Sequence, residues 1–194
     1  MAGRPREFEI DKALDQAVQV FWKRGYEGAS LSELTRAMGI SRTSLYAAFG
    51  DKEGLFAQVA ARYETGRADY MTHALEAQTA REFARRLLQG AVDLHSDPDN
   101  PHGCMVVQSA LACGPDSDSV RHQLGMRRRG GEETIRQRFE QAKTDADLPS
   151  DCDPGALARF IKAVIYGLAV QSVGGATREE LQQVADMAMR AVPG

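Results

Sequence analysis

The sequence predicts an all-α fold of about nine helices, on three observations. Apolar residues recur at helical spacing along nearly the whole chain, and no alternating strand pattern competes with them. Ser30 with Glu33 and Thr177 with Glu180 have the Ser/Thr-x-x-Glu form that opens a helix. Glycine and proline punctuate the periodic stretches, as at Gly39, Gly114-Pro115 and Gly174-Gly175. The expected organisation is a three-helix N-terminal domain with a helix-turn-helix, residues 1–53, and a larger helical C-terminal domain, residues 54–194.

The first helix, about 11–24, puts Leu14, Ala17, Val18 and Phe21 on one stripe with Trp22 beside it, and Gly25 stops it. Ser30 caps the second, whose Leu31, Leu34, Ala37 and Met38 share a face, with Glu33 reaching back to the Ser30 amide. Gly39 supplies a left-handed turn, and Ser41 caps the third helix, which buries Leu45 and Phe49 at i, i+4. Asp51 caps a fourth that carries Leu55, Phe56, Val59 and Tyr63 inward and can run on to Ala74. A helix over about 80–94 ends at the loop from Asp97 to Gly103. A short buried helix follows over 104–113, then a long polar one over 117–146, weakened at Gly130-Gly131. Asp153-Pro154 opens a helix with Leu157, Phe160, Ile161, Val164, Ile165 and Leu168 on a broad apolar face. Leu181, Val184, Ala185, Ala188 and Val192 line the last one. These two stripes are wider than one partner needs, as in helices that also meet a second subunit.

Composition narrows the class. The chain has 194 residues, 43% hydrophobic and 26% charged, enough for a substantial core. Its net charge is −3, and residues 1–55 hold eight Lys/Arg against eight Asp/Glu, so any nucleic-acid contact must come from placement rather than bulk charge. Three widely spaced cysteines make no disulfide framework and fit a reducing cytoplasm. MAGRPREFEID has no apolar signal core, and the run from Ala163 to Val170 is too short to span a bilayer, so neither export nor membrane contact is expected.

The third helix, Arg42 to Phe49, presents Arg42, Thr43, Ser44, Tyr46 and Ala47 outward, a short polar-ended rod that fits a DNA major groove. The flanking residues carry more. The run ALDQAVQVFWKRGYEGASLSELTRAMGISRTSLYAAFGDKEGLF, with Tyr26-Glu27-Gly28, Met38-Gly39-Ile40-Ser41, Leu45-Tyr46, Phe49 and Asp51-Lys52-Glu53-Gly54-Leu55-Phe56, resembles the N-terminal domain of TetR family bacterial transcriptional regulators. The resemblance implies a homodimer that binds double-stranded DNA at a pseudo-palindromic operator. It implies a repressor released by a small molecule bound in the C-terminal domain, with no cofactor and no enzymatic activity. Dimerisation through the last two helices then falls to Phe160, Ile161, Val164, Leu168, Leu181, Val184 and Ala188.

On that reading Arg42 pairs with a guanine edge or a phosphate, and Thr43 offers a methyl to thymine. Ser41 and Ser44 offer hydroxyls, Tyr46 reaches a phosphate or serves as a half-buried strut, and Ala47 leaves room for shape readout. Lys52 joins its ammonium to a helix N-terminus, and Ser30 and Ser32 reach further phosphates. Arg4, in Gly3-Arg4-Pro5-Arg6, enters a minor groove or belongs to a solvated tail. Phe83, Leu87, Met105, Gln108, Ser109, Gln123 and Tyr166 are the candidate effector pocket. Cys104, two residues from His102, is the alternative: a metal- or redox-responsive thiol, or a nucleophile with His102 as base. No acid is placed to orient that histidine, and no metal set is assigned. Arg127-Arg128-Arg129, with Glu132 and Glu133 nearby, reads as a solvated ion-paired face.

Overall fold

A computed structural model describes residues 4–114 and 117–193, with side chains described from residue 10 onward. Among the described residues there are ten α-helices and no strand. They are α1 (Arg4–Gly28), α2 (Leu31–Met38), α3 (Arg42–Phe49), α4 (Lys52–Thr65) and α5 (Tyr70–Leu75). Then come α6 (Ala80–Ser96), α7 (Met105–Ala112), α8 (Asp118–Thr144), α9 (Pro154–Val173) and α10 (Arg178–Met189). Two compact units result: residues 1–67 with 105–124, and residues 68–104 with 125–194. The first is larger than the expected 1–53 domain, because α4 and α7 pack into it.

In the first unit α1 lies against α2, α4 and α7. Phe21 meets Phe56 edge-on with ring centroids 5.0 Å apart, and Trp22 meets Tyr63 at 4.8 Å; all four rings are buried. Such pairs add about 1 kcal/mol each beyond area burial. Gly25 interrupts α1 as expected, at φ 69° and ψ 177°. On the surface, Arg62 of α4 grips Asp15 of α1 through two hydrogen bonds and Asp11 through a third. The Arg62 guanidinium holds the Asp15 carboxyl below the usual aspartate range.

The second unit is built around α6, which packs against α5, α9 and α10. Its core holds Phe83, Leu87, Phe139, Ile161, Ile165, Leu168 and Leu181. Gly90 is what lets α5 approach α6: a Cβ there would lie 2.3 Å from the Tyr70 Cβ. The extra helix relative to the expected nine is α5. The fourth helix ends at Thr65 instead of continuing through Ala74, because Gly66 leaves helical geometry at φ −118° and ψ −90°. Gly130-Gly131, the expected weak point, sits within an unbroken α8, and the Lys162 ammonium lies over Gly131 where a side chain would stand. α9, 20 residues long, is long and apolar enough to cross a membrane by length and composition alone, with a mean hydropathy of 1.4 over an 18-residue window. Its Leu157, Ala158, Ile161, Ile165 and Leu168 nevertheless belong to this unit's core.

The last two helices require a correction. Ile161, Leu168, Leu181 and Ala188, expected at a dimer interface, are buried in their own unit's core. Each stripe has an inner and an outer half, and these four fall on the inner one. Phe160 and Val184 are exposed and Val164 is half-buried. Val170, Val173 and Met187, all more than half exposed, continue the outer half.

Candidate nucleic-acid interface

Two caps and one turn set the helix-turn-helix. The Ser30 hydroxyl accepts from the Glu33 amide at 3.1 Å. Glu33 does not close the expected reciprocal box: its carboxylate takes the Arg24 guanidinium at 3.2 Å instead. Arg24 ends the straight part of α1, so the ion pair braces the entry to α2. At the other end Gly39 is left-handed at φ 68°. The amides of Gly39 and Ile40 return to the carbonyls of Arg36 and Thr35, which stops α2 and turns the chain. Ser41 then caps α3 by accepting from the Ser44 amide at 3.0 Å, with the two hydroxyls 2.9 Å apart.

α3 buries Leu45 and Phe49 and exposes Arg42, Thr43, Ser44, Tyr46, Ala47 and Ala48. Tyr46 is 47% exposed, which favours the outward-reaching role over the strut. Arg42 donates from Nη2 to Ser32 Oγ at 2.8 Å, so the starts of α2 and α3 present a joined polar edge. Ser30, Ser32, Ser41 and Ser44 are exposed along it.

Lys52 is placed differently from the expectation. Its Nζ sits over the Tyr26 ring, 4.5 Å from the centroid, half-buried, and burial lowers its pKa. A phosphate contact would draw the ammonium off that ring. Arg4 begins α1, but its side chain lies outside the described residues.

Sequence reasoning missed two carboxylates that flank the helix-turn-helix. Glu27 accepts from the Gly114 amide at 3.1 Å and from the Ser117 hydroxyl. Glu53 accepts from the Ser119 hydroxyl and from Gln123 Nε2 at 2.5 Å. The Ser117 hydrogen bond, then the Gly114 amide, hold the Glu27 carboxyl below its ordinary range. Gly114 and the stretch 117–123 are thus fastened at both ends of the reading motif. No local pattern announces contacts 66 to 90 residues apart in sequence.

The effector-pocket candidates divide between the units. In the first, Met105 and Ser109 are fully buried, Gln108 is half-buried, and Gln123 is engaged by Glu53. The Ser109 hydroxyl has no hydrogen-bond partner. In the second, Phe83 and Leu87 are fully buried core; Phe83 meets Phe139 at 5.3 Å, so both pack rather than line an opening. Tyr166 is half-buried beneath the Lys162 ammonium. Cys104, Cys113 and Cys152 are unpaired and half-buried, and His102 is exposed. Among the described residues no group of three or more His, Cys, Asp or Glu side chains could hold a metal ion.

Comparison with known proteins agrees with this geometry. Residues 13–59 match the family model described as bacterial regulatory proteins, tetR family. Residues 83–188 match that of the tetracyclin repressor-like C-terminal domain. The HTH-type transcriptional repressor ComR of Escherichia coli is 33% identical over 193 residues, covering 98% of this chain and 92% of that protein. A cysteine mutant of the TetR family regulator CifR, solved with 26-base-pair operator DNA, is 43% identical with a TM-score of 0.91. That match covers 98% of this chain and all of the other. A TetR regulator from Rhodococcus sp. RHA1 is 41% identical, with a TM-score of 0.64 over 93% of this chain and 97% of that one. With the capped helix pair, its exposed reading edge and a helical second unit already in view, these matches establish that the chain belongs to the TetR family of bacterial transcriptional regulators.

Proposed function

We propose that the chain represses transcription as a homodimer on a pseudo-palindromic operator, reading each half-site with α3, and is released by a small molecule. The observation that carries the reading is the α3 surface. Both large apolar residues of that helix are buried, while Arg42, Thr43, Ser44, Tyr46 and Ala47 stand exposed beside Ser30 and Ser32. Arg42 and Thr43 supply base-edge chemistry; the hydroxyls and Tyr46 supply phosphate contacts. CifR, a relative of similar fold matched over its whole chain, was solved in complex with operator DNA.

Dimerisation is assigned to the outer halves of α9 and α10: Phe160, Val164, Val170, Val173, Val184 and Met187. All but the half-buried Val164 are exposed, and large apolar residues exposed on two adjacent helices suit burial against a second copy. An effector that favours a spacing of the two reading heads unsuited to the operator disfavours DNA by the same coupling free energy.

The test is a mobility-shift titration of the purified protein against the DNA upstream of its own gene, followed by footprinting. A protected site with two related half-sites supports the reading. Binding no tighter than to random duplex at matched salt overturns it.

A further inference from the structure

A groove of about 320 Å³ opens in the first unit between the start of α1 and α3. Its floor is buried Ala13 and Phe49. Ile10 and Ile40 line it together with the α3 residues Thr43, Ser44, Ala47 and Ala48. Thr43 and Ala47, one helical turn apart, belong both to this lining and to the exposed reading edge. The groove is therefore continuous with the proposed DNA surface. It is also the apolar part of a surface otherwise made of Arg42, serines and Tyr46. Positions 47 and 48 carry methyl side chains, so a longer side chain at either would narrow the groove.

In the DNA major groove the 5-methyl of thymine is the apolar group that projects from a base edge, and small apolar side chains are its partners. Water held in an apolar slot beside polar neighbours is readily displaced by such a group. We infer that this groove receives thymine methyls, making Ala47 and Ala48, with Ile10 and Ile40 behind them, specificity-determining residues. The inference rests on the DNA-reading role of α3 and adds to it a preference for thymine that needs no hydrogen bond. One position is then read by the absence of side-chain bulk.

The experiment uses the full-length protein and its preferred duplex, recovered by selection from a random pool. Each thymine is replaced in turn by deoxyuridine, which pairs identically and lacks only the methyl. Burial of one such group predicts about fourfold weaker binding at one or more symmetry-related positions. In Ala48→Leu, where the larger side chain takes the place of the methyl, thymine and deoxyuridine duplexes should bind alike at those positions. If every deoxyuridine duplex binds wild type within the error of the thymine duplex, the inference is overturned while the DNA-reading role stands. A thymine preference that survives unchanged in Ala48→Leu places the methyl elsewhere and also overturns it. Failure to recover any preferred duplex would instead remove the role on which it rests.

Discussion

Arg42, the first residue of α3, donates to the hydroxyl of Ser32 near the start of α2, with Nη2 and Oγ 2.8 Å apart. The bond fixes a long side chain at the edge where bases would be met. Less rotamer freedom remains to be lost on binding, which favours affinity and a single contact geometry. Arg42→Ala should lower affinity for the best operator by about tenfold and flatten the ranking of mutated operators. Ser32→Ala should cost less and leave the ranking intact. Titrations on matched and mutated duplexes at several salt concentrations separate the two. Equal losses on every duplex with Arg42→Ala would show that the guanidinium only touches phosphate.

Gly54 sits in the first turn of α4, and a Cβ added there would lie 2.2 Å from the Phe49 carbonyl oxygen. That oxygen belongs to the backbone at the end of the reading helix and cannot swing aside. Gly54→Ala should therefore push α3 away from α4, destabilising by about 1–3 kcal/mol, as overpacking does. Operator affinity should fall further than thermal stability alone explains. Gly130→Ala, where a Cβ meets nothing within 4 Å on an exposed stretch of α8, is the control. It should leave both nearly unchanged or raise stability slightly.

Val170 and Met187 are 54% and 60% exposed on α9 and α10. Val170→Asp combined with Met187→Glu should yield a folded monomer whose operator binding is lost. Sedimentation velocity and circular dichroism check the two halves of that statement. Ile161→Asp, on the inner half of the same helix, should instead unfold the second unit, since it buries an unpaired charge. A dimer that withstands the double change would move the interface off this face.

His95 is buried on α6, and burial lowers its pKa from 6.5 to about 4; a backbone hydrogen bond at Gly103 opposes part of that shift. Its Nδ1 has no hydrogen-bond partner. The folded state thus prefers the neutral ring, whereas the unfolded chain takes up a proton near pH 6.5. The stability this contributes is complete above about pH 6.5 and is lost as pH falls towards 4, amounting to roughly 3 kcal/mol at the lower end. Urea melts across that range should show the slope, and His95→Phe should remove most of it. A slope identical in the two proteins would assign the acid sensitivity to carboxylates such as Asp15.

Most of the architecture was legible because its signals are local. Ser41, Asp51, Asp153 and the Thr177–Glu180 box cap the helices they were expected to cap. Leu34, Leu45, Phe49 and Phe56 are buried as their spacing implied. The failures share a cause: each turns on which of two available partners wins. Glu33 chose Arg24 over the Ser30 amide. Ile161, Leu168, Leu181 and Ala188 chose the core over a second subunit. A wide apolar stripe shows that a helix has two neighbours without showing which half meets which. The Arg42–Ser32 bond and the carboxylate ties of Glu27 and Glu53 join residues 10 to 90 positions apart, where sequence spacing says nothing.

The reading unit is discontinuous, taking in residues 1–67 and then 105–124. During synthesis, α1 and α4 leave the ribosome well before α7, the helix that packs on both, has been made. A nascent chain of 67 residues therefore shows an uncovered apolar wall, and domain-by-domain folding cannot finish there. Only after residue 124 clears the exit tunnel can the head close.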